Sequence, residues 1–145
     1  MSNPVLEFFQ SQIGKSITTS PSALGNWLNG TFVEAKEGEM VVSFVVRKEM
    51  TNVVGILHGG AAAAIIDDVM GMAVYTLGKE FVYVTVSLTV DFLDNAKEGE
   101  TIYAKTKVIR NGKTVVNVEC HLVNTDGKIL AKGTSNLVVT KIPAM

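Results

Sequence analysis

Residues 58–75, HGGAAAAIIDDVMGMAVY, decide the fold of this 145-residue chain. The stretch shows no β-type alternation, is rich in Ala and holds no Lys, Arg or Glu. It reads as one long helix, largely buried. Beyond Gly78 the period drops to two. From Val82 to Phe92 every even position is apolar (Val82, Val84, Val86, Leu88, Val90, Phe92), and the odd ones are Tyr83, Thr85, Ser87, Thr89 and Asp91. That alternation predicts a strand with one dry face and one polar face.

Working outward, Pro4 suits a first helical turn, Leu6, Phe9 and Ile13 recur at helical spacing, and Gly14 closes a short N-terminal helix. Residues 15–29 read as a loop containing Pro21, Gly25 and Trp27, with Trp27 as a packing residue. Gly30–Ala35 and Met40–Val46 are β-rich and join across Glu37-Gly38 as a hairpin. On the other side, Thr101–Ile109 and Thr114–Val123 flank Asn111-Gly112, a signal for a two-residue type I′ turn with positive φ at both residues. A last strand, about Lys128–Thr140, follows the turn at Asn124–Gly127. The order is helix, two strands, long helix, four strands. An antiparallel sheet wrapped around one apolar helix satisfies it; an alternating parallel α/β fold does not, because only one crossover-length helix lies between strands. No repeat or linker interrupts residues 1–145, so one α+β domain with one core is expected.

Composition narrows the function. Apolar residues make up 47% and charged residues 19%, and 13 basic against 14 acidic residues leave a net charge of −1. That balance argues against a nucleic-acid binder. The charge-free stretch Thr51–Ile66 carries Asn52 and His58 and falls short of the roughly 18 apolar residues of a membrane span. The opening MSNPVLEFF lacks the basic and apolar regions of a signal peptide. One cysteine excludes an intrachain disulfide and a Cys-rich zinc site. Alternation places Cys120 with Val116, Val118 and Leu122 on an apolar face and turns His121 the other way; neither has a metal-ligand partner at suitable spacing. A cytoplasmic protein without membrane, metal or nucleic-acid partner is expected.

The long helix holds the chemistry. With about 100° of rotation per residue, Gly60, Ala64, Asp67, Gly71 and Val74 share one narrow stripe, opposite Ala62, Ile65, Ile66, Val69 and Ala73. The small-residue stripe permits close approach by a ligand or another subunit. It carries a carboxylate for which the helix supplies no cation. Asp67 and Asp68 are either satisfied by hydrogen bonds at a subunit interface or by water, or Asp67 is a general base or nucleophile beside a substrate. At the helix start, Gly59-Gly60 leave backbone N–H groups and the positive end of the dipole open to a substrate oxygen, as oxyanion stabilisation requires. Taken alone the two glycines are a tight turn; the carboxylate about two and a half turns along the same helix makes the pattern more specific.

The run NVVGILHGG (residues 52–60), Asp67 nine positions after His58, and the strand with Thr85 resemble the hotdog-fold acyl-CoA thioesterases of the PaaI-like, phenylacetate-pathway branch. The resemblance covers about Thr31 to the C-terminus. It implies a sheet of about six antiparallel strands curled around a central helix, assembled as a homodimer or homotetramer with active sites between protomers. It implies that Gly59 N–H polarises the thioester carbonyl and Asp67 acts as base or nucleophile. Asn52 and His58 would position substrate or support the loop, and Thr85 would orient water where relatives often carry Ser. The turn Arg110-Asn111-Gly112-Lys113 matches the one that holds CoA phosphates, with Lys48 and Lys97 as weaker candidates. An acyl- or aryl-CoA is the implied substrate, so no separate cofactor is expected. Two alternatives stay open: a non-catalytic acyl-CoA-binding protein, and an acyl-thioester dehydratase or hydratase, which the lack of Pro near His58 disfavours.

Overall fold

The computed structural model describes residues 2–144. Two helices, α1 (Pro4–Ser11) and α2 (Ala23–Leu28), precede the hairpin β1 (Thr31–Lys36) and β2 (Glu39–Val45). A 3₁₀ turn (Lys48–Met50) leads to α3 (Gly59–Tyr75), then β3 (Phe81–Phe92), β4 (Thr101–Asn111), β5 (Val115–Asn124) and β6 (Ile129–Pro143). The strands form one six-stranded sheet in the order β1-β2-β4-β5-β6-β3, antiparallel at every pairing. The sheet lies around α3, as the resemblance implies.

The core forms where α3 meets the inner face of the sheet. Ile65, Ile66, Val69 and Met70 are fully buried among Val42, Ile102, Val116, Val118, Cys120 and Leu122. Each such apolar side chain contributes about 1.5–3 kcal/mol by leaving water. Contact is close enough that a Cβ at Gly133 on β6 would stand 2.7 Å from Ile66 Cγ2. His58 caps the start of α3, and Thr76 closes its end by donating to Ala73 O (2.6 Å) while accepting from Gly38 N–H (2.7 Å). Asn3 caps α1 and donates to Thr76 O (2.8 Å), which fastens α1 to the same helix end.

Three sequence expectations are corrected. The expected loop over residues 15–29 contains α2. Ser22 accepts from Gly25 N–H (3.0 Å) as its N-cap, and Asn29, in the left-handed region at φ 53°, ends it. Trp27 packs at the surface rather than in the core: the residue is 47% exposed, and the Arg47 guanidinium stands 5.0 Å from its ring centroid. Arg47 also donates to Trp27 O (2.6 Å) and Leu28 O (3.0 Å), satisfying carbonyls at the end of α2.

The β4–β5 connection is no type I′ turn. Neither Asn111 nor Gly112 has positive φ, and β4 ends at Asn111 while β5 begins at Val115, so the link spans residues 112–114. A bulge between Val108 and Arg110 shifts the register ahead of the turn. Gly112 is required by close approach: an added Cβ would lie 2.2 Å from Val115 O.

The third correction concerns β3. Its alternation is interrupted by a register shift between Thr85 and Ser87, which leaves Val86 without a partner on β6. Before the shift Thr85 opposes the buried Leu137; after it Leu88 opposes the buried Ser135 and Val90 opposes Gly133. Cross-strand partners share a face. The inner face therefore takes odd residues before the bulge and even residues after it. Val84 and Val86, expected on the dry face, are 43% and 60% exposed.

Candidate active site

The bulge places Thr85 against α3. Its Oγ1 donates to Asp67 Oδ1 at 2.9 Å. Asp67 is half-buried, and this hydrogen bond holds one of its oxygens in place. The neighbouring Asp68 turns toward α2, where Ser22 Oγ donates to its Oδ1 over a long 3.4 Å. Burial pushes the Asp68 carboxyl above the usual 3.8; the Ser22 hydrogen bond opposes the rise and the Asp67 charge adds to it. The two acids thus differ in surroundings, one beside an exposed hydroxyl and the other tucked under α2. Each accepts from one hydroxyl of its own chain, Asp67 over the shorter distance.

The loop before α3 is built by Asn52. Its Oδ1 accepts from Val54 N–H (3.0 Å) and Ile56 N–H (3.3 Å), and its own N–H donates to Ile56 O (2.9 Å). Bonds from Leu57 N–H to Ala96 O and from His58 N–H to Met50 O, both 2.8 Å, fix where α3 begins. His58 Nδ1 accepts from Gly60 N–H (2.8 Å), so its ring proton sits on Nε2, which is left as a donor. Among the described residues Gly59 N–H, at the first helical position, has no hydrogen-bond partner. This end of α3 therefore presents a free backbone donor, an imidazole donor and the positive helix terminus together.

Within one chain these groups fall into two half-sites. Gly59 and Asp67 stand eight residues apart on α3, about 12 Å along the axis. An oxyanion needs its donor within about 3 Å, so one thioester carbon cannot meet both groups of the same chain. Asn52, His58 and Gly59 make one half-site; Asp67 and Thr85 make the other.

The cationic candidates divide the same way. Lys48 lies in the 3₁₀ turn, and Lys97 is bridged to Ile56, so both flank the Asn52–His58 loop. Arg110 and Lys113, exposed at the β4–β5 tip, belong with β3: Tyr83 OH donates to Lys113 O (2.6 Å) and Lys79 Nζ to Gly112 O (3.3 Å). Lys79 adds a third cation that the sequence reading missed. Cys120 is fully buried, as its alternation predicts, and His121 is exposed. No group of His, Cys, Asp or Glu among the described residues is placed to hold a metal ion, and no helix among them is long and apolar enough to cross a membrane.

The Thioesterase superfamily model matches residues 54–131, which include Gly59, Asp67, Thr85 and the Arg110–Lys113 turn. Acyl-coenzyme A thioesterase 13 of Homo sapiens is 33% identical over 104 residues, 71% of this chain and 74% of that protein. Among solved structures, zebra fish thioesterase superfamily member 2 aligns with a TM-score of 0.78 at 26% identity, covering 95% of this chain and 97% of that one. The E. coli PaaI protein from the phenylacetic acid degradation operon gives a TM-score of 0.80 at 23% identity, over 86% and 89% of the two chains, a likeness of fold. With the sheet, the central helix and the matched segment in agreement, the chain belongs to the thioesterase superfamily as a hotdog-fold thioester hydrolase.

Proposed function

We propose that this protein hydrolyses acyl-CoA thioesters to a free acid and CoA, at a site completed by two copies of the chain. The observation that carries the reading is the pair of half-sites on α3, a free N–H at Gly59 and a hydroxyl-bound carboxylate at Asp67, too far apart to serve one carbon alone. The Asn52–Gly59 half-site of one copy meets the Asp67–Thr85 half-site of the other. The thioester oxygen accepts from Gly59 N–H, assisted by the helix terminus and by His58 Nε2–H.

Asp67 Oδ2, left free by Thr85, takes a proton from water while the Thr85 oxygen accepts that water's other hydrogen. The water oxygen bonds to the carbonyl carbon, the carbon–sulfur bond breaks, and CoA departs as the thiol with the transferred proton. The step uses protein groups and water only, and CoA enters as part of the substrate. Arg110 and Lys113 on the Asp67 side, and Lys48 and Lys97 on the Gly59 side, supply charge for the CoA phosphates.

A dimer is the smallest assembly that makes this site and holds two of them, and a dimer of dimers holds four. The bare outer edge of β3, with exposed Val84 and Val86, supports association there, whereas a Ser16–Thr31 bridge partly covers β1. A buried lone thiol and a balanced charge fit a cytoplasmic setting. The test is thiol release from a panel of acyl-CoAs by the wild type and Asp67→Asn. The account expects turnover by the wild type and a loss of about 10²-fold or more in kcat for the variant, with its assembly unchanged in sedimentation. Tight acyl-CoA binding by the wild type with no thiol released, or an unchanged kcat in the variant, contradicts it.

A further inference from the structure

The β4–β5 tip carries Arg110 and Lys113, both exposed, yet its turn is pinned from outside. Three successive carbonyls each accept a hydrogen bond from another part of the chain: Gly112 O from Lys79 Nζ (3.3 Å), Lys113 O from Tyr83 OH (2.6 Å) and Thr114 O from Val139 N–H (2.9 Å). The Val139 bond extends the β5–β6 pairing. The other two are side-chain bonds that reach across from the α3–β3 connection and from β3. Lys79 Nζ also sits 5.5 Å from the Tyr83 ring centroid, so the amine and the phenol form one brace. A trans peptide points its C=O and N–H in opposite directions. With the Gly112 and Lys113 carbonyls drawn toward the brace, the N–H groups of Lys113 and Thr114 turn away from it. Among the described residues neither N–H has a hydrogen-bond partner. The Arg110 guanidinium lies over the same backbone, its Nη1 3.2 Å from where a Gly112 Cβ would stand. The turn therefore carries two free backbone donors beside two cationic side chains, a set suited to phosphate oxygens.

We propose that Tyr83 and Lys79 are positioning residues for CoA: they hold the Arg110–Lys113 turn at a set distance from Asp67. The inference rests on the reading of that turn as the phosphate site and of Asp67 as the acting carboxylate. Tyr83 precedes Thr85 by two residues on the same inner face of β3, about 7 Å along the strand. Thr85 in turn holds Asp67. One strand thus carries both the anchor of the phosphate turn and the anchor of the acid. A hairpin tip held only by its own strands opens readily. Bracing it in advance lowers the ordering cost at the moment CoA binds. Neither brace residue touches the thioester, so their effect is confined to substrates that carry the phosphates.

The experiment takes the CoA ester turned over fastest in the thiol-release panel and the same acyl group on pantetheine, which lacks the phosphates. Wild type, Tyr83→Phe, Lys79→Met and Arg110→Gln are compared on both esters, with thermal melting and sedimentation on each protein. Tyr83→Phe removes one hydroxyl and no charge, which separates positioning from attraction. It is expected to raise KM for the CoA ester, with kcat within about twofold of wild type. The CoA-to-pantetheine ratio of kcat/KM is expected to fall by about threefold to tenfold, the worth of one hydrogen bond. Lys79→Met is expected to lower the ratio at least as far, because it removes a bond and a charge. A ratio unchanged in either brace variant while Arg110→Gln lowers it overturns the inference. An equal loss on both esters also overturns it, since a merely structural role gives that result. A ratio that Arg110→Gln leaves unchanged overturns instead the reading of the turn as the phosphate site, and the inference with it.

Discussion

Replacing Gly59 by Pro removes one hydrogen-bond donor and little else. Gly59 is the first residue of α3, where Pro is favoured because its fixed φ suits the helix and its missing N–H has no intrahelical acceptor. His58 already holds the extended backbone that a residue before Pro adopts, at φ −64° and ψ 136°. An added Cβ would meet the Phe92 ring at 3.4 Å, an ordinary contact. The fold should therefore tolerate the change, with the melting temperature within a few degrees of the wild type. Loss of a single oxyanion donor costs about 10²–10³ in kcat, or roughly 2.7–4 kcal/mol. KM should move much less, because the missing bond strengthens mainly as charge develops on the oxygen. Steady-state thiol release on one good substrate reads both constants. A Gly59→Pro enzyme with a kcat within threefold of wild type would refute the role assigned to this N–H.

Two further predictions concern the buried groups. The raised pKa of Asp68 means that the folded state keeps its proton to higher pH than the unfolded chain does. Stability from this group is therefore complete below about pH 3.8 and falls as pH rises through the folded value. Asp68→Asn should melt increasingly above the wild type as pH climbs from 4 into the neutral range; a gap that narrows over that range contradicts the assignment. Burial pushes the Cys120 thiol up to about 12, so at pH 8 it should resist Ellman's reagent in the native protein and react once per chain after denaturation. Native labelling within minutes would show that β5 does not shield it, and would also disturb every thiol-release assay described above.

The helix over residues 58–75 was legible because an Ala-rich run with no alternation and no Lys, Arg or Glu suits a helix inside a core. Strand order was not. Pairing of β2 with β4 and of β3 with β6 joins segments far apart in the chain, and no local pattern encodes it. The alternation of residues 82–92 was read through unbroken because every even position is apolar, yet the strand changes face at Val86. Taken literally, that alternation turns Thr85 away from the helix. Only the family resemblance placed Thr85 in the site, and the bulge explains how the side chain gets there. Val84 and Val86 are apolar although the single chain leaves them in water, in keeping with a face that a second copy covers.

Asp67 and Gly59 were visible as residues on one helix, but spacing alone does not say whether they act on the same molecule. The separation of eight helical residues, seen with Thr85 bonded to one and a free N–H on the other, turns that question into a geometric one. Asn111-Gly112 misled for a different reason. A bulge two residues earlier lets the chain turn without positive φ, so Gly is needed for closeness to Val115 O rather than for handedness.

Mixing two inactive variants tests the shared site most directly. Asp67→Asn and Gly59→Pro chains, unfolded together in equal amounts and refolded, form half of their dimers as hybrids. Each hybrid holds one site with both defects and one with neither, so activity should return to about a quarter of the wild-type level per chain. Either variant refolded alone should stay inactive. No recovery in a mixture shown to contain hybrids would contradict the claim that Gly59 of one copy and Asp67 of the other meet at a single thioester.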